Sequence, residues 1–111
     1  MDSRQKTPIQ KNTMLKKSYS KTGNICRVTF KYNNPENAET AALAGMFNSW
    51  SVQANPMKKL KNGSFSITLS LPAGNSYPFR YVLDGKTWVN DEAAHSYLPN
   101  EYGEENSVIA V

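Results

Sequence analysis

The chain has 111 residues, with thirteen Lys and Arg against nine Asp and Glu. That length suits one domain with one modest core. It falls far short of the roughly 250 residues of a (β/α)8 barrel, so a complete glycosidase barrel is excluded.

The formal charge of +4 is unevenly divided. Between Met1 and Lys21 six bases (Arg4, Lys6, Lys11, Lys16, Lys17, Lys21) face only Asp2, giving +5. From Thr22 onward seven bases and eight acids leave −1. Residues 1–24 are read as a flexible basic N-terminal arm, rich in Lys, Gln, Ser and Thr and poor in apolar periodicity. A nucleic-acid-binding domain would carry its basic charge on the folded face, so no nucleic acid partner is expected. The arm contains no long apolar run, so neither a secretory signal nor a membrane span is expected. The single Cys26 has no intrachain disulfide partner, which points to a reducing compartment or at least to a fold needing no staples; with no signal expected, the location is read as cytoplasmic.

Residues 25–111 read as β structure. Val28, Phe30 and Tyr32 alternate with Arg27, Thr29 and Lys31, the period of a strand with one buried face. Asn33-Asn34-Pro35-Glu36-Asn37 is a turn cluster. Residues 40–45 form a short, mostly apolar second strand, and residues 48–57 a loop that contains Trp50 and Pro56. Asn62-Gly63 is a hairpin signal. Beyond it Phe65, Ile67, Leu69 and Leu71 alternate with Ser64, Ser66, Thr68 and Ser70, the cleanest period-two segment of the chain. After Pro72-Ala73-Gly74-Asn75, the residues Tyr77, Phe79, Tyr81 and Leu83 share one face and Arg80 lies on the other. Asp84-Gly85 turns the chain into a strand around Trp88. Residues 91–105 read as irregular and polar, and residues 108–111 as the closing strand. The whole is all-β, an immunoglobulin-like sandwich of about seven antiparallel strands. Phe30, Phe65, Tyr77, Phe79 and Tyr81 are its expected core.

Two residues stand out from this frame. Trp50 sits in a polar turn and Trp88 follows a turn signal, which is unusual for large aromatics. Aromatics at strand ends suggest a platform for a flat apolar ligand face, and the C–H face of a pyranose ring is such a surface. Catalytic readings find little support. His95 is the only histidine and has no cysteine or second histidine nearby, so no metal and no cofactor are expected. Asp84 is explained by its turn, and a glycosidase carboxylate pair in a deep cleft is not expected. The chain is read as not an enzyme.

The stretch Leu43-Ala44-Gly45-Met46-Phe47-Asn48-Ser49-Trp50-Ser51, then Pro56-Met57, Tyr81-Val82-Leu83-Asp84-Gly85, Asn90-Asp91 and Asn106-Ser107-Val108 resemble the family 48 carbohydrate-binding module. That module is also called the isoamylase N-terminal or early-set domain. Its relatives include the glycogen-binding domain of the AMP-activated kinase beta subunit and the N-terminal modules of branching and debranching enzymes. The resemblance covers about residues 25–111. It implies an immunoglobulin-like sandwich and non-catalytic binding of α-1,4-linked glucan, glycogen or starch.

On the site, the resemblance implies six carbohydrate-binding residues. Trp50 matches the first platform tryptophan and Trp88 the second. The turn before Trp88 is one residue longer than in the kinase subunits, so its facing depends on the turn absorbing that residue. Arg80 matches a lysine, Tyr102 a leucine wedge and Glu104 a threonine; Asn106 matches an asparagine that bonds sugar hydroxyls. A second reading makes the same fold a protein-interaction module, since domains of this type also pack against catalytic domains. A glycan-active enzyme or other protein is therefore a second possible partner beside the glucan. Exposed and coplanar tryptophans would favour sugar; a buried Trp88 beside an apolar patch would favour a protein.

Overall fold

The computed structural model describes residues 15–111. Two antiparallel sheets face each other. One contains β1 (Lys16–Tyr19), β2 (Ile25–Tyr32), β5 (Phe65–Pro72) and β4 (Lys58–Lys59), in the order β1-β2-β5-β4. The other contains β3 (Ala41–Gly45), β6 (Ser76–Leu83), β9 (Glu105–Ala110) and β8 (Ser96–Pro99), in the order β3-β6-β9-β8, with β7 (Thr87–Val89) also on β6. No helix among the described residues is long and apolar enough to cross a membrane.

The core lies between the sheets, where each strand's alternation points its apolar residues inward. Cys26, Val28, Phe30 and Tyr32 from β2 meet Leu43, Phe79, Tyr81, Leu83 and Ile109 from the other sheet, with Phe65 and Leu71 of β5 beside them. Phe30 packs edge-on to Phe79 at 5.1 Å between centroids, a geometry that sets the positive ring edge against the negative face. Tyr77 is only half-buried, and its hydroxyl donates to the Pro72 carbonyl at 2.8 Å.

The sandwich has nine strands among the described residues rather than about seven. The two that sequence reasoning missed are β1 and β8. Lys16–Tyr19, expected in the arm, pair with Cys26–Thr29 at the edge of the first sheet. Residues 1–14 of that arm lie outside the described residues. Ser96–Pro99, expected as irregular, pair with Glu105–Val108. All four residues of each strand are exposed. Such strands are held by ladder and side-chain hydrogen bonds and bury neither face, so they carry no apolar alternation to read.

The pairing of β6 locates everything that follows. Ser76 to Phe79 pair with β9, and Tyr81 to Leu83 pair with β7 along the same edge. Arg80 is the residue left between, at the seam where β9 gives way to β7. The far end of this seam is tied to the first sheet: Ser76 pairs with Ala110, whose carbonyl accepts from Lys17 Nζ at 3.0 Å.

Candidate functional site

Trp50 is placed by a compact backbone knot. Asn48 Oδ1 accepts from the Gly45 N–H at 3.0 Å, while its Nδ2 donates to Leu43 O and Asn55 Oδ1. The Trp50 N–H closes the turn on Gly45 O at 2.9 Å. Ser49 and Trp50 both adopt left-handed backbone, at φ 57° and 61°, a conformation uncommon for a residue as bulky as Trp. Gly45 is required by space. A Cβ there would stand 2.7 Å from the Phe47 ring and 2.8 Å from the Pro78 carbonyl oxygen.

Trp88 is placed by the β6–β7 turn. Asp84 and Gly85 both have positive φ, 51° and 73°, and the Lys86 N–H donates to Leu83 O at 3.0 Å. Asp84 Oδ1 accepts from the Glu39 and Thr40 N–H groups. These bonds, Thr40's foremost, hold its carboxyl below the usual carboxylate range. Trp88 stands opposite Val82, on the same outward face as Arg80. The two indoles approach to 6.5 Å between centroids at 44°. The pair is therefore neither coplanar nor closed off, since Trp88 keeps 37% of its surface exposed.

Arg80 is far more enclosed than a solvated strand residue. Its side chain is 11% exposed, Nη1 donates to Glu104 Oε1 at 2.7 Å, and Nη2 donates to the Trp88 carbonyl at 3.2 Å. Nε is buried without a partner among the described residues. Glu104 comes from the β8–β9 loop, as does Tyr102, which is 80% exposed. Asn100 organises that loop: its Oδ1 accepts from the Tyr102 and Glu104 N–H groups, and its Nδ2 donates to Asn106 Oδ1 at 3.1 Å.

These residues line one open groove of about 900 Å³. Trp50, Arg80, Trp88, Tyr102, Glu104 and Asn106 all contribute, so the fold brings together six residues that span 57 positions of sequence. Lys86, Thr87, Asn100 and Glu101 line it too and were not foreseen. Asn100 had a signal in principle, as an Asx residue opening a turn that ends on Gly103. The cations Arg80 and Lys86 are matched by Glu101 and Glu104, so the groove is charge-balanced.

Behind the groove, Asp91 is 1% exposed and takes the Tyr81 hydroxyl on Oδ2 at 2.5 Å. Its N–H donates to Ser107 Oγ, and Asn90 Nδ2 donates to Glu105 O, stitching the end of β7 to β9. Burial pushes the Asp91 carboxyl and the Tyr81 phenol up, the latter strongly. His95 has a structural part: Nδ1 accepts the Ala110 N–H at 3.0 Å. No group of three or more His, Cys, Asp or Glu able to hold a metal ion occurs among the described residues.

The family described as the glycogen recognition site of AMP-activated protein kinase matches residues 26–111. A chloroplastic protein of Arabidopsis thaliana, Protein PTST homolog 2, is 40% identical over 52 residues, a match spanning 47% of this chain and 9% of that protein. Among solved structures, the enterochelin esterase of Shigella flexneri superposes with a TM-score of 0.71 at 9% identity, over 89% of this chain and 33% of that one. A second structure of that enzyme, in the presence of 2,3-dihydroxy-N-benzoyl-glycine, gives 0.69 over the same shares. At that identity the likeness concerns the fold alone.

Proposed function

The chain belongs to the family of the glycogen recognition site of AMP-activated protein kinase, and from that premise we propose that it binds α-1,4-linked glucan, of glycogen or starch type, without catalysis. The observation that carries this reading is the single groove holding both tryptophans and all four polar or aromatic partners expected beside them. A neutral glucan offers hydroxyls and apolar ring faces but no charge. The groove answers with two indole planes, amide groups at Asn100 and Asn106, and balanced charges.

Of the two marks of a sugar platform expected from the sequence, Trp88 keeps the exposure, at 37%, while the indoles are inclined at 44° rather than coplanar. By analogy with base stacking, each ring contributes about 1–3 kcal/mol. Open, wet sites of this kind give Kd values on the order of μM to mM.

Titration with maltoheptaose and glycogen, followed by tryptophan fluorescence, tests the reading, with a cellulose oligomer as control. Saturable binding to the α-glucans alone is expected, weakened about 10- to 100-fold in Trp50→Ala. A protein-binding reading draws on one observation: Trp88, Tyr102 and Leu98 leave 37%, 80% and 50% of their surface exposed on the same sheet. Absence of any response to millimolar oligosaccharide and to glycogen would favour that reading. A glycan-active enzyme is then the partner to test first.

A further inference from the structure

The sheet on the far side from the groove carries a charge that the near-neutral balance of the folded part conceals. Its strands β1, β2, β4 and β5 hold six bases and no acid. The rest of residues 15–111 holds four bases and eight acids. Two of the six are engaged by carbonyls: Lys17 Nζ donates to Ala110 O at 3.0 Å, and Lys59 Nζ to Ala38 O at 3.1 Å. The other four, Lys16, Arg27, Lys31 and Lys58, point outward, since Lys16 is paired with Thr29 and Lys58 with Ser66 on the same face as Arg27 and Lys31. No carboxylate among the described residues is paired with them. Hydroxyls separate them: Ser66 lies between Lys31 and Lys58, and Arg27 between Ser18 and Ser70. Like charges directly opposite would destabilise the sheet. A lysine on an edge strand deters pairing with another chain, which accounts for Lys16 and Lys58. Arg27 and Lys31 lie on the interior strand β2, where there is no edge to guard.

We propose that this face docks an acidic segment of a partner protein. Complementary charge is the argument: a face with cations and no acid attracts carboxylates and repels a basic partner. Arg27 offers a fork that matches a carboxylate, and the serine hydroxyls beside it donate to the same acceptor. The outward positions hold no aromatic side chain on which a nucleic-acid base would stack. Their one apolar pair is Ile25 with Pro72, at the end of the sheet beside Arg27. That pair is too small to hold a bilayer, whose attachment scales with buried apolar area, but it suits one apolar side chain of a docked segment. The groove and this face belong to opposite outer surfaces of the sandwich, so the groove stays free for its own ligand while the partner is held.

The experiment measures binding of the full chain to a fluorescent peptide of repeated Glu-Ser, with the Gln-Ser peptide as control, by anisotropy. The Glu-Ser peptide alone should bind, and its affinity should fall about tenfold or more between roughly 0.05 M and 0.5 M salt. Arg27→Glu/Lys31→Glu should weaken it at least about tenfold. Lys21→Glu/Lys61→Glu makes the same change of net charge at two exposed turn residues and should weaken it less than about threefold. Thermal unfolding is recorded for each variant, and the milder Arg27→Gln/Lys31→Gln serves if the charge reversal does not fold. Equal losses in the two double variants would reduce the effect to net charge and overturn the docking face. Tighter binding to phosphatidylserine vesicles or to duplex DNA than to the peptide would overturn the class of partner, and no peptide binding at low salt would overturn the proposal outright. Maltoheptaose is titrated in parallel. Trp50→Ala should lose the sugar and keep the peptide, so the glucan reading and the docking face stand or fall separately.

Discussion

The two outer faces of this sandwich obey the same alternation and end up as different surfaces. On the β1-β2-β5-β4 sheet the outward positions are Arg27, Thr29 and Lys31 on β2 and Ser66, Thr68 and Ser70 on β5, cross-paired as Arg27–Ser70, Thr29–Thr68 and Lys31–Ser66. They are cationic or hydroxylated and exposed or partly exposed, with Thr29 and Thr68 joined hydroxyl to hydroxyl at 2.8 Å. On the other sheet the outward positions of β3 and β6 are Ala42, Ala44, Arg80 and Val82. Ala42, Ala44 and Val82 are buried although they point away from the core. The first sheet leaves its outer face open, whereas the second buries three of its outward positions around Arg80. Beside these positions stand Trp88 of β7, opposite Val82, and the loop whose Pro56 bridges to Ala42. Where outward positions of this sheet turn apolar or enclosed, the candidate site stands beside them.

The sharpest way to break this comparison is to add one methyl at Gly45. Its Cβ would meet a backbone oxygen, which cannot swing aside. Gly45→Ala should cost about 1–3 kcal/mol of stability and displace the turn that presents Trp50. Chemical unfolding and glucan titration should both register it.

The next contrast sets one outward residue against another. Val82→Ser removes a buried apolar side chain beneath the tryptophans and should destabilise by about 2 kcal/mol. Ser70→Ala on the opposite face should stay within about 0.5 kcal/mol. Equal effects in urea unfolding would refute the claim that the two faces differ in cover.

The smallest effect is absent at neutral pH. The Tyr81 phenol is raised well above its ordinary 10.0, by burial first and then by Asp91. A group whose folded-state pKa is raised contributes stability that is present below its unfolded value and lost as pH rises. Stability should therefore fall above pH 10, as the unfolded chain releases the proton that the fold retains. Tyr81→Phe should flatten that alkaline decline in melting curves taken between pH 8 and 11.

Much of this was legible from the residues. The alternation of Phe65 to Leu71 and of Tyr77 to Leu83 specifies strands and their inner face, because burial on one side leaves a period of two. Trp50 declared itself by standing in a polar turn, and Trp88 by following the Asp84-Gly85 turn signal. The edge strands Lys16–Tyr19 and Ser96–Pro99 were silent because neither buries a face. The Arg80–Glu104 bond was silent for another reason. It joins residues 24 positions apart, and only the handover from β9 to β7 along β6 brings them together. Nor could alternation give the 44° between the indoles, which depends on two independently built turns.

The tie between Lys17 and Ala110 has a practical consequence. It gathers the start of β1 and the end of β9 at one pole of the molecule. Ala110 pairs with Ser76, six residues along β6 from the Val82–Trp88 pair, or about 20 Å of strand. A bead or dye attached at the Lys17–Ala110 pole should leave the tryptophans pointing away from the attachment. The candidate groove and this pole thus lie toward opposite ends of β6, a socket held away from its stem.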